Sequence, residues 1–190
     1  MMEFYRYESQ NSKFLLSRHC MTKRQKKEMV QKSWGLLVGK DIPLVLIRDD
    51  IDAHLHYILK EIIDGIAAIG IQLAVELPSE AQRQKNWELF CKKHPKWIRI
   101  IDEEESQYEI FDLALLEDLT IDRIKSLKEK RMVPVAEKGV STFDPIHEKG
   151  NGFLFHENPW SLFAALVRAQ ETYRFPYDWE NLIKAVSKLI

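Results

Sequence analysis

Six short apolar runs recur along the chain, at residues 43–48, 72–77, 97–101, 112–116, 132–136 and 153–155. They constrain the fold more than any other feature. Each is too short for an ordinary helix, and the run through Leu44, Val45, Leu46 and Ile47 is apolar at successive positions. A strand with one face in water alternates, so this pattern predicts burial on both faces. The segments between the runs carry a helical period. Ile51, Leu55, Ile58, Leu59, Ile62, Ile63, Ile66 and Ile69 fall at steps of three and four, which predicts one long amphipathic helix. Asp49 and Asp50 precede it, where carboxylates suit the positive end of the helix dipole. Thr22 caps an earlier helix that runs through Met29, Val30 and Trp34 to about Gly35, and Pro78-Ser79 opens another through Trp87, Leu89 and Phe90. Residues 119–130 form a further helix, Asn158 and Pro159 cap and start one over 159–173, and the last covers 178–189. Alternating strands and helices call for a mostly parallel sheet with helices on both faces. With right-handed crossovers the expected fold is an α/β, Rossmann-like three-layer domain over residues 22–190, preceded by an arm at 1–21.

The 190 residues suffice for one domain with a real core. With 28 basic and 29 acidic residues the chain has no global field to favour nucleic acid or a membrane surface. No apolar run approaches the ~20 residues that span a bilayer. Met1–Tyr7 is not followed by the apolar core of a secretory signal. Cys20 and Cys91 make neither a disulfide framework nor a zinc site, so a reducing, cytoplasmic setting is expected.

Most charged clusters have a structural explanation. Lys23-Arg24-Gln25-Lys26-Lys27 reads as a solvated helix face, and Asp102-Glu103-Glu104-Glu105 as a helix start. Asp49, Asp50 and Asp52 read as caps. His54 and His56, two apart on a helix, point to different sides and share no metal. Cys91 and Trp160 read as packing residues. Arg48 differs, because it follows a strand at the edge where open parallel sheets bind ligands. No Gly-x-Gly-x-x-Gly and no P-loop occurs.

Glu148-Lys149-Gly150-Asn151-Gly152-Phe153-Leu154-Phe155, followed by Asn158-Pro159-Trp160 and Leu162-Phe163-Ala164-Ala165-Leu166-Val167-Arg168-Ala169, resembles the late C-terminal part of glycogen and starch synthases. The lead-in helix at residues 26–36, Gln72-Leu73-Ala74-Val75, Lys92-Lys93-His94-Pro95, Phe111–Leu116 and Val133-Pro134-Val135 extend the likeness in order. The resemblance implies the nucleotide-sugar half of a GT-B type glycosyltransferase. It places Arg48, Gly139, Val140, Ser141 and Thr142 at the nucleotide-sugar site. It also marks departures. The family's donor-site lysine has no match unless His54 substitutes for it, and three aspartates crowd the position. A glycine loop becomes Leu77-Pro78-Ser79-Glu80. The loop after the fourth strand is short, Leu116-Glu117-Asp118-Leu119-Thr120, with Glu117 as the stand-in carboxylate.

Two functions are therefore expected. One is a degenerate half-domain, non-catalytic alone, with no catalytic residue, metal or cofactor, which acts through a partner glycosyltransferase domain or a homo-oligomer. The other is the nucleotide-sugar-binding half of an ADP-glucose-dependent α-1,4-glucan glucosyltransferase, with ADP or ADP-glucose as ligand.

Overall fold

All six runs become strands in the computed structural model, which describes residues 21–189. They are β1 (Leu44–Ile47), β2 (Gln72–Glu76), β3 (Ile98–Ile101), β4 (Leu113–Leu116), β5 (Val133–Ala136) and β6 (Phe153–Leu154). The sheet order is β3-β2-β1-β4-β5-β6 and every pairing is parallel. The order reverses direction between β1 and β4. The helices are α1 (Lys23–Ser33), α2 (Ala53–Ala68), α3 (Ala81–Lys93), α4 (Glu103–Ser106), α5 (Ile121–Lys130), α6 (Pro159–Tyr173) and α7 (Pro176–Ser187). The domain is thus α/β and Rossmann-like. The arm, apart from Met21, lies outside the described residues.

Successive strand residues point to opposite faces, and both faces are covered. Val45, Ile47, Leu73, Val75, Leu113, Leu115, Val133 and Val135 share one core with the isoleucines of α2 and with Leu162, Ala165 and Leu166 of α6. Leu44, Leu46, Ala74, Ala114, Leu116 and Ala136 share the other with Val30 of α1, Trp34 at its C-terminal cap and Leu127 of α5. Continuous apolar runs follow from this two-sided burial.

Side-chain caps set the starts of α1, α2, α4, α5 and α6. The Thr22 side chain accepts from the Gln25 amide while the Gln25 side chain accepts from the Thr22 amide, and Asn158 accepts from Ser161 ahead of Pro159. The long helix begins later than expected. Asp52 is its cap, with Oδ1 2.7 Å from the Leu55 amide, so Asp49 and Asp50 lie in the preceding turn. Helix α3 begins after Glu80 rather than at Pro78-Ser79, α5 begins after Thr120 rather than at Leu119, and α7 begins at Pro176 rather than 178.

The two glycines before β6 are forced. Gly150 has φ +108°, and a Cβ there would lie 2.6 Å from the Phe143 Cα. A Cβ on Gly152 would lie 2.6 Å from the Pro134 carbonyl oxygen. Only hydrogen fits where the turn passes so close to its neighbours.

The basic run of α1 is not the solvated face that its composition suggests. Lys27 is 3% exposed. Its Nζ donates to Asp112 Oδ2 at 2.7 Å, to the Tyr173 hydroxyl at 2.7 Å and to the Ile42 carbonyl at 3.0 Å. Lys23 Nζ donates to the Lys130 and Arg131 carbonyls at 2.8 and 2.9 Å, at the C-terminal end of α5. Helical spacing turns these two lysines inward together, and the buried carboxylate and carbonyls there replace their water. Removing one partner of a buried pair strands the other charge, which costs about 3–5 kcal/mol. Lys27→Met should therefore lower the urea midpoint by a matching amount at unchanged slope. Lys27→Met with Asp112→Asn should cost less than Lys27→Met alone, since no bare carboxylate is left.

Candidate functional site

Parallel strands that reverse order between β1 and β4 open a crevice at their C-terminal ends. Arg48 sits there, directly after β1. Its side chain is about two-fifths exposed, and its Nε lies 3.6 Å from Glu76 Oε2, an ion-pair distance rather than a hydrogen bond. Glu76 ends β2 and also accepts from the Asp49 amide and the Ser106 hydroxyl, both at 3.2 Å. Arg48 lines a cavity of about 460 Å³ together with Asp50, Asp118, Asp122 and Arg123. Arg123, in the first turn of α5, bonds Asp50 at 2.9 Å and also Asp118. Burial works against its charge, but the hydrogen bond with Asp50 and the charges of Asp50, Asp118 and Glu117 outweigh it and raise its pKa. Both arginines of this cavity thus already face carboxylates.

A second crevice of about 320 Å³ adjoins the first around Glu117 and Asp118. Asp52, His54, Glu117, Asp118, Glu137, Lys138 and Glu157 line it, five carboxylates against one lysine and one histidine. Glu117 Oε1 accepts from the Asp52 amide, which joins the β4 loop to the cap of α2. Burial, then the nearby charge of Glu157, push the Glu137 carboxyl above its ordinary range, with Asp52 adding to the effect and Lys138 and His54 opposing it. No group of three or more His, Cys, Asp or Glu among the described residues is arranged to hold a metal ion.

Gly139, Val140, Ser141 and Thr142 form the turn after β5. Gly139 has φ +80°, and a Cβ there would lie 3.1 Å from the Leu119 Cβ. Val140 packs against the core on the α1 and α5 face. The Ser141 amide donates to Asn151 Oδ1 at 2.8 Å, and the Thr142 hydroxyl accepts from the Leu154 amide at 3.1 Å. The turn is stitched to the Gly150–Gly152 segment, and none of its four residues lines either crevice. Arg48 and this turn are therefore not brought into one cavity. His54 and Glu117 do meet, in the acidic crevice.

In the loop after β2 the Leu77 amide donates to the Ile101 carbonyl at 2.8 Å and the Ser79 amide to Asp49 Oδ2 at 3.0 Å. Sequence reasoning missed Arg123, Glu137, Lys138 and Glu157. Arg123 carried one usable signal, a basic residue three past Thr120 in the first turn of the helix that follows β4.

No protein-family model matches the chain. Glycogen synthase 1 of Synechocystis sp. is 48% identical over 44 residues, which is 23% of this chain and 9% of that protein. The catalytic domain of starch synthase IV from Arabidopsis thaliana, bound to ADP and acarbose, superposes with a TM-score of 0.69 at 19% identity, over 88% of this chain and 39% of that one. The chain thus has the fold of a glycogen/starch synthase-like domain of GT-B type and spans well under half the length of either relative. Among the described residues no helix is long and apolar enough to cross a membrane.

The raised pKa of Glu137 has a definite sign for stability. Its carboxyl holds a proton more tightly in the folded than in the unfolded chain, so stability falls as pH rises from the ordinary carboxylate range through the raised value. Glu137→Gln should melt above the unsubstituted protein at pH 7. The two melting temperatures should converge once the pH falls below about 4, where both side chains are neutral.

Proposed function

We propose that this chain is a degenerate glycosyltransferase half-domain, non-catalytic alone, that acts through protein interaction. One observation carries the reading: the crevice at the strand tips is lined by carboxylates. A sugar nucleotide brings a diphosphate, which needs fixed cations and free amide donors. Here Arg48 faces Glu76, Arg123 faces Asp50 and Asp118, and Lys138 stands among five carboxylates. Like charges within a few ångströms of one another repel strongly in a partly dry crevice. The Ser79 and Ser141 amides are bonded to side chains of the chain itself.

The same rim favours contact with protein. Leu77 after β2, Ile121 at the start of α5 and Trp160 at the start of α6 are exposed, Ile121 by 82% and Trp160 by 76%. Apolar groups left in water at one edge suit an interface. In this reading residues 22–190 are one domain with an N-terminal arm, and a partner glycosyltransferase domain or a second copy covers the rim.

A second reading has its own support. The starch synthase IV structure contains ADP, and Arg48 lines a cavity at the strand tips. The chain would then be the ADP-glucose-binding half of an α-1,4-glucan glucosyltransferase, with Arg48 on phosphate.

Thermal melting with and without millimolar ADP or ADP-glucose separates the two, because a ligand that binds only the folded state raises its melting temperature. The degenerate reading expects no shift. A rise that Arg48→Ala abolishes would establish the second reading instead.

A further inference from the structure

At the opposite edge of the sheet, below the N-terminal ends of the strands, lies a cavity of about 520 Å³. Its charge is the reverse of the acidic crevice. Lys23, Arg24, Lys27, Lys40 and Arg131 line it, against the carboxylates of Asp112 and Glu180. Tyr173 and Trp179 form an aromatic wall, with ring centroids 4.8 Å apart and planes at 84°.

We propose that this cavity binds a phosphomonoester that carries a planar ring, with the phosphate among Lys23, Arg24, Lys40 and Arg131 and the ring against Trp179.

The two carboxylates do not cancel the cations. Asp112 is engaged by Lys27 and by the Leu44 amide, at 2.7 and 2.9 Å. Glu180 accepts from Arg131, both oxygens at 3.1 Å, in a pair whose side chains are half exposed or more. An exposed pair of this kind is worth little and yields readily to a stronger anion. Arg24 is bonded to Glu28 in another exposed pair. Lys40 makes no ion pair among the described residues. Lys23 donates to two carbonyls and keeps a third N–H.

Burial pushes the Lys23 ammonium down to about 8, with Lys27 and Arg131 adding to the effect while Asp112 and Glu109 oppose it. Positive charge is therefore held here at some cost, and a dianion would relieve it. Phosphate fits the arrangement, because arginines offer paired donors and lysines point charges to its oxygens. The volume lies within the range of small-molecule sites. Trp179 is partly buried against the main core, so its ring is fixed before any ligand arrives.

The full chain is titrated calorimetrically with phenyl phosphate, inorganic phosphate and phenol. Phenyl phosphate should bind more tightly than either fragment. The exposed-site variant Lys40→Glu/Arg24→Glu should weaken it about tenfold or more, as loss of charge-assisted contacts implies. The milder Lys40→Ala should weaken it less, and both should keep the unsubstituted circular dichroism spectrum. Trp179→Phe should shrink the preference for phenyl phosphate over inorganic phosphate. Arg48→Ala, at the other edge, should change nothing, which separates this cavity from nucleotide binding at the strand tips. The proposal falls if phenyl phosphate fails to bind at about ten millimolar, the weak end of the affinity scale. It falls equally if inorganic phosphate binds as well as the ester, if the charge reversals have no effect, or if Arg48→Ala removes the binding.

Discussion

The buried ammonium of Lys27 is the point at which the layers of this domain are tied. Asp112, its partner, stands just before β4. The Asp112 carboxylate also accepts from the Leu44 amide at the start of β1, its own amide donates to the Leu44 carbonyl, and its carbonyl accepts from Val133 at the start of β5. Three strands are thereby held in register at one residue, and α1 and α6 are fastened to them through Lys27 and Tyr173. A buried charge pair is weak evidence for net stability, because desolvation offsets much of the attraction. Its value here is geometric. All three N–H groups of Lys27 have acceptors, so any slip of β1 against β4 would leave a charge or an amide bare in the core.

That tie also divides the molecule electrostatically. Cations gather at the N-terminal edge of the sheet and carboxylates at the C-terminal edge, a polarity hidden by a formal net charge of −1. Part of this follows from secondary structure alone. In a parallel α/β fold the helix N-termini lie at the strand tips, and their positive dipole ends favour acidic residues such as Asp52 and Asp122. The same dipoles run down to negative ends at the opposite edge, where Lys23 meets the last carbonyls of α5. The usual parallel domain leaves the positive ends open for phosphate. In this chain the side chains of Asp52, Thr120 and Asn158 already occupy those of α2, α5 and α6.

The layered fold was legible because burial on two faces writes itself into the sequence as uninterrupted apolar runs, and α2 because its isoleucines repeat at helical spacing. Boundaries were less legible. Asp49, Asp50 and Asp52 are equally good caps by chemistry, and only the length of the turn after β1 selects Asp52. The inward turn of Lys23 and Lys27 could not be read from a basic run, because the partners that bury them, Asp112, Tyr173 and the end of α5, are 85 or more residues away. The candidate site was half legible. Arg48, His54 and Glu117 line the crevices at the strand tips. The turn at 139–142 is closed upon Asn151 and Leu154, contacts that no local pattern announces.

The sheet and the loops at its tips are held by different forces. The central strands β1, β2, β4 and β5 are buried on both faces, so the sheet tolerates little change. The loops at the tips carry the ligand chemistry but almost none of the core. The sequence Leu77-Pro78-Ser79 after β2 is accommodated without disturbing the sheet, since Pro78 is itself buried and the Ser79 amide donates to Asp49. Two glycines support this division. Gly150 and Gly152 stand where backbone touches backbone beneath β6, so packing alone requires them whether or not any sugar nucleotide is bound above.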